Sequence, residues 1–344
     1  MLSRRTKILI YLVYLFLCVL LFASGAELLA RMTGHQPWVV KQLDVKVEPG
    51  GRFYAKHPTL GYTALPGQFK IILDDSYVFT ATNLSDSQRA THPLDSYSKQ
   101  NTKPQIWIFG DSVTYGWSVN DEETFPWLLQ KELPDYEVVN FGFMGYGTLH
   151  SLIQLREAFQ HRNKPRLIIL NYASWQDVRN TFIRGRRKML AIASSLGPVN
   201  QPYASLAEDG KLIISMDTIQ YREFPLMRRL AFVNMIEETY DKYEERYVDS
   251  HGVTKAIVKE IADLCRAQGV KLIVATITSD PTTSDMLEFA HKEGLKTVDM
   301  FVDLNVFANN NLPFDSHPSA LAHRQYAQLL RSHLIDLLQE ETKR

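Results

Sequence analysis

Ile106-Trp107-Ile108-Phe109-Gly110-Asp111-Ser112 is the stretch that decides the fold. Its apolar residues run without polar alternation, the mark of a strand buried on both faces in a parallel sheet. The run stops at a glycine and breaks into Asp-Ser, as a buried strand does when it holds a hydroxyl at the top of a sheet. The same logic extends outward. Strands are predicted at Gln105–Phe109, Val138–Asn140, Leu167–Leu170, Lys271–Ile277 and Thr297–Phe301. Helices are predicted at Phe125–Leu133, Leu149–His161, Val253–Gln268, Ser284–Gly294 and Pro318–Gln339. Strands alternating with helices of this length imply an α/β fold, a parallel central sheet covered on both faces.

The flanking segments read differently. Residues 32–103 look β-rich and irregular, with turn signals at Pro58–Tyr62 and Leu65-Pro66-Gly67, and about 84–104 reads as a loop. Residues 178–250 interrupt the alternation with aromatic and basic residues. That insertion fits a lid over a site or plain scaffold. Three parts result: 1–31, 32–103, and a main domain at 104–340 that contains the insertion.

The chain has 344 residues, with 38 basic and 38 acidic side chains. This balance gives no footprint for nucleic acid. Arg184-Gly185-Arg186-Arg187-Lys188 fits a solvated face, or contact with anionic lipid or glycan. Two cysteines, Cys18 and Cys265, exclude a disulfide framework and a Cys-rich metal site. No histidine belongs to a ligand-like cluster, so neither a metal nor a cofactor is expected.

Arg4, Arg5 and Lys7 precede an uncharged apolar stretch from Ile8 to Ala26. A membrane-crossing helix needs about 20 such residues. The basic flank keeps the N-terminus in the cytoplasm and places the remainder outside it, periplasmic or extracellular. Ser24-Gly25-Ala26 fits a signal cleavage site, which would make the protein secreted. The length of the run favours a retained single-pass anchor.

Three groups fall just after predicted strands, where open α/β sheets bind ligands. They are Ser112, the glycine-rich 142–147 segment, and Gln176-Asp177. A serine hydroxyl needs a base to become a nucleophile. His317 is the best base, with Asp315 close enough to orient its ring. An oxyanion needs backbone or amide donors, and Gly145 suits close approach of the backbone. Each residue also has a plainer role open to it. Ser112 and Asp315 fit helix caps, His317 a surface histidine, Gly145 a turn, and Gln176 a solvent-facing loop position. Asp111 is expected to be structural.

On these residues the chain resembles the SGNH/GDSL hydrolase superfamily, in its membrane-anchored branch. Gly110-Asp111-Ser112-Val113-Thr114-Tyr115-Gly116 is similar to the first block, Asn140–Thr148 to the second, and Asp315-Ser316-His317-Pro318-Ser319 to the fifth. The resemblance implies a three-layer, flavodoxin-like α/β/α fold over about 104–335. It implies a triad of Ser112, His317 and Asp315, with an oxyanion hole from Ser112, Gly145 and the third-block amide. Two departures stand out. Where the third block has Gly-x-Asn-Asp, this chain places Gln176 before Asp177, with Asn171 as a second donor. The acid and base are spaced Asp-x-His rather than Asp-x-x-His. The function implied is an extracytoplasmic serine esterase acting on acyl esters of glycans or lipids, O-acetyl among them. O-acyl transfer to a sugar hydroxyl by the same triad, a phospholipase, and a non-catalytic binding protein on this fold are the alternatives.

Overall fold

Residues 105–109 form an interior strand of the sheet, paired on both sides, as their uninterrupted hydrophobicity requires. The computed structural model describes residues 3–40, 44–96, 103–193 and 195–342. Parts of the expected 84–104 loop (97–102) and of the N-terminal stub (1–2) therefore lie outside the described residues.

Helix α1 (Arg4–Met32) leads to β1 (Val45–Glu48), β2 (Tyr54–His57), β3 (Gly61–Ala64), β4 (Gly67–Leu73) and β5 (Tyr77–Asn83). Then come β6 (Gln105–Phe109), α2 (Ser112–Tyr115), α3 (Phe125–Glu132), β7 (Glu137–Asn140), α4 (Thr148–His161) and β8 (Leu167–Tyr172). The 178–250 region forms most of α5 (Asp177–Asn180), then α6 (Arg184–Ala193), the hairpin β9 (Asn200–Leu206) and β10 (Leu212–Thr218), and α7 (Ala231–Val248). The chain ends with α8 (Ser250–Gln268), β11 (Lys271–Thr276), α9 (Pro281–Lys292), β12 (Lys296–Asp299), β13 (Asn310–Asn311), β14 (Asp315–Pro318) and α10 (Ala320–Thr342).

The central sheet has the order β12-β11-β8-β6-β7, with every neighbouring pair parallel. Counted along these strands alone the order is 2-1-3-4-5, the flavodoxin-like arrangement. The order reverses between β6 and β8, which is where such sheets bind ligands. Alternate residues of each strand feed two cores. Trp107, Phe109, Ile168, Leu170 and Val274 pack under α4, α8 and α9. Ile106, Ile108, Ile169, Ile273 and Val298 pack under α3 and α10. Each such side chain contributes about 1.5–3 kcal/mol by leaving water.

Several boundaries depart from expectation by one to three residues, two of them for plain local reasons. The last strand of the central sheet ends at Asp299, whose carboxylate accepts from the Phe301 N–H at 2.9 Å and turns the chain. The terminal helix starts at Ala320, because 315–318 is extended and pairs antiparallel with β13.

The N-terminal strands form an antiparallel β1-β4-β5 sheet and a β2-β3 hairpin. They build a third core in which Phe53, Ile71 and Phe79 meet Tyr115 of α2, Trp117 just after it and Phe143 from the loop after β7. The insertion is scaffold in part, since Ala204 of β9 belongs to the core under α4 and α8. Helix α1 is long and apolar enough to cross a bilayer, properties a signal sequence shares. Its far end is tied down. The Glu27 carboxylate accepts from the N–H groups of Ala231 and Phe232 at 3.1 and 2.9 Å, capping α7 where Leu230 offers no side-chain cap.

Candidate active site

Gly110 lets α2 fold back onto the end of β6: a Cβ there would lie 2.1 Å from Thr114 Oγ1. Asp111, fully buried, fixes the start of that helix. Its Oδ1 accepts from the Val113 N–H at 3.1 Å and caps α2. Its Oδ2 accepts from Trp175 Nε1 at 2.7 Å and Arg179 Nη1 at 2.9 Å. The carboxylate thus locks the backbone beside Ser112 from two sides, a structural role.

Ser112, the first residue of α2, stands 2.9 Å from His317 Nε2. His317 Nδ1 lies 2.5 Å from Asp315 Oδ1. With Nδ1–H donating to the carboxylate, Nε2 is left to accept the serine proton. The Asp-x-His spacing has a physical basis. The same Oδ1 accepts the His317 backbone N–H at 2.8 Å, an Asx turn that needs the two groups two residues apart. Asp315 Oδ2 takes a third donor, Trp117 Nε1, at 2.8 Å. Burial works against the charged carboxylate, but the donors from His317 and Trp117 outweigh it and hold Asp315 below its ordinary pKa. Ser112 is 6% exposed and the His317 side chain 30%. The cavities on either side of the 142–145 turn are lined by neither residue.

The two amides expected near an oxyanion are engaged elsewhere. Gln176 is buried at the end of a short 3₁₀ turn that winds its side chain back onto β8. Its Nε2 donates to the Asn171 carbonyl at 3.2 Å, and its Oε1 accepts from Thr148 Oγ1 at 3.1 Å. Asn171 Nδ2 donates to Thr114 Oγ1 at 2.9 Å. Gly145 adopts a left-handed conformation (φ 71°), and a Cβ there would meet Tyr62 Oη at 2.6 Å. Arg179 Nη1 also donates to the Tyr146 carbonyl at 3.0 Å. One nitrogen therefore bridges the 144–146 turn and Asp111, the residue before the serine.

Sequence reasoning missed Trp117, Trp175 and Arg179. A tryptophan N–H only donates and rarely stays unpaired when buried. Two tryptophans within a few residues of the first and third blocks were thus a usable signal; Arg179 carried none.

Asp177 of the third block faces away, accepting from Tyr172 Oη at 3.0 Å and meeting His251 Nδ1 at 2.8 Å. His251 Nε2 reaches Asp285 at 2.8 Å. The hydrogen bond to Asp177 chiefly raises the His251 pKa above its ordinary 6.5. The stabilisation from this pair is therefore complete below that value and fades as pH climbs through the raised pKa. Melting curves of His251→Gln and wild type should converge at alkaline pH and separate at mildly acidic pH. A gap that widens with pH would contradict this linkage. Among the described residues, no group of three or more His, Cys, Asp or Glu side chains is placed to hold a metal.

No family model matches the sequence, and no curated protein does. Among solved structures the chain is similar to TesA, at 14% identity and TM-score 0.40, over 67% of this chain and 98% of that one. It is similar to a lipolytic protein of the G-D-S-L family from Veillonella parvula, at 13% identity and TM-score 0.38, over 66% and 96%. It is also similar to AlinE4, an SGNH-hydrolase family esterase, at 14% identity and TM-score 0.36, over 70% and 99%.

Proposed function

We propose that the protein is a serine esterase that removes short acyl groups, O-acetyl foremost, from glycans or lipids outside the cytoplasmic membrane. The observation that carries this is the unbroken hydrogen-bonded chain from Ser112 Oγ through His317 to Asp315. In the reaction His317 Nε2 takes the Ser112 proton as Oγ bonds to the ester carbonyl carbon. Asp315 holds the ring and stabilises the imidazolium. The proton passes to the departing alcohol oxygen as its bond to carbon breaks, leaving an acyl-enzyme. Water, deprotonated by the same nitrogen, then releases the acid and frees Oγ.

The backbone N–H groups of Ser112 and Gly145 are the oxyanion donors in this scheme. Among the described residues no hydrogen bond within the chain engages either N–H, as such a role needs. Gln176 takes no part. Gln176→Leu should therefore cost about 1–3 kcal/mol of stability, from the Thr148 hydroxyl and Asn171 carbonyl left unpaired. It should lower kcat less than 10-fold, whereas an oxyanion donor is worth about 10²–10³. Chemical melts and steady-state kinetics on one preparation separate the two.

The apolar α1, with its basic N-terminal flank, supports a tether that presents the domain outside. The deciding experiment is fluorophosphonate labelling, with the modified peptide mapped by mass spectrometry. Label on Ser112, abolished in Ser112→Ala, is the expected result. A folded protein that takes no label would end the esterase proposal.

A further inference from the structure

A second site lies on the other side of the 144–145 turn. A cavity of about 160 Å³ opens between the β2-β3 hairpin, α6 and β9. Tyr54, Leu190, Val199 and Ile219 make its walls apolar. Within its polar lining, Arg186 and Gln201 are only 3% and 1% exposed. Arg186 donates from Nη2 to the Gly145 carbonyl at 2.8 Å and from Nη1 to Met189 Sδ at 3.7 Å. No carboxylate among the described residues pairs with it. Neither amide atom of Gln201 makes a well-formed hydrogen bond, the His150 ring being a polar group that faces it.

A cation buried without a counterion and an amide buried without a well-formed hydrogen bond cost stability, and proteins seldom keep them idle. Nearby Arg184 and Lys188 are each satisfied by Glu237, so the insertion has carboxylates to give and withholds them from Arg186. We infer that Arg186 and Gln201 form a binding site for a small monocarboxylate. A guanidinium fork matches the two carboxylate oxygens, and the Gln201 amide can donate to one of them. One buried positive charge balances a monoanion, while a dianion such as phosphate would bring an uncompensated charge among apolar walls. The volume equals about five waters at roughly 30 Å³ each, room for a carboxylate on a short hydrocarbon body. The site uses none of Ser112, His317 or Asp315, so it stands or falls apart from the esterase proposal.

The test is calorimetric titration of the full-length chain in detergent micelles with butyrate, butyramide and inorganic phosphate. Butyrate should bind at least 10-fold more tightly than the isosteric amide and than phosphate. Arg186→Met and Gln201→Leu should each weaken butyrate at least 10-fold. Should Arg186→Met fail to fold, the acid-to-amide ratio and Gln201→Leu decide alone. No butyrate binding to wild type, equal binding of acid and amide, phosphate binding as tight as butyrate, or undiminished binding in either folded variant would each overturn the inference.

Discussion

Ser112→Ala is expected to lower kcat for ester hydrolysis by about 10⁶-fold, the loss seen when a triad serine is removed elsewhere. Stability should change by less than about 0.5 kcal/mol. The two effects separate because of what the hydroxyl touches. Its side-chain hydrogen bond is to His317 Nε2, on a ring about one-third exposed, so water can replace it. The residue's structural work is done by its backbone and by Asp111, which alanine leaves alone. His317→Ala should cost a similar factor, and the double variant little more, since members of one proton relay act as a unit. Asp315→Asn should keep the geometry and still cost about 10⁴ by favouring the wrong imidazole tautomer. Steady-state rates on an activated acyl ester measure all four. A loss below 100-fold in Ser112→Ala would mean that another group attacks the ester.

Most of the central sheet was legible because burial on both faces leaves uninterrupted apolar runs, and β6, β8 and β11 have them. The hydrogen-bonded Ser112, His317 and Asp315 were legible because each lies within two residues of a glycine or proline that marks a chain turn. What stayed hidden depends on contacts across long stretches of sequence. Trp117 reaches Asp315 across 198 residues, and Arg89 sits in a stretch that reads as a polar loop. The direction of Gln176 was unreadable for a different reason. One 3₁₀ turn after β8 decides whether its amide faces the serine or the strand, and no residue pattern encodes that rotation.

Arg89→Met should destabilise the protein by about 3–5 kcal/mol, the usual cost of leaving one partner of a buried ion pair behind. Typical domains have only about 5–15 kcal/mol to lose. The Arg89 side chain is fully buried, with its guanidinium 4.7 Å from the Tyr115 ring centre. Its Nε donates to Asp121 at 2.9 Å. Nη1 donates to the Tyr115 and Gly116 carbonyls, and Nη2 to those of Thr80 and Val119 at 2.9 and 2.8 Å. One side chain thus ties β5 to the 115–121 loop. That loop carries Trp117, the donor to Asp315, packed edge-on against Phe79 at 5.1 Å. Loosening it should also reduce kcat, and by more than Trp117→Phe, which removes the single hydrogen bond. Denaturant melts followed by tryptophan fluorescence measure the first effect, as a lower midpoint for the transition that exposes Trp117. The second variant to make is Arg89→Met with Asp121→Leu. Removing the stranded carboxylate should restore part of the stability, because an apolar pair can replace a buried ion pair at little cost. Full recovery is not expected, since the carbonyls of residues 80, 115, 116 and 119 still lack their donor. A double variant as stable as wild type would mean that neither the carbonyl contacts nor the ion pair adds net stability over an apolar pair.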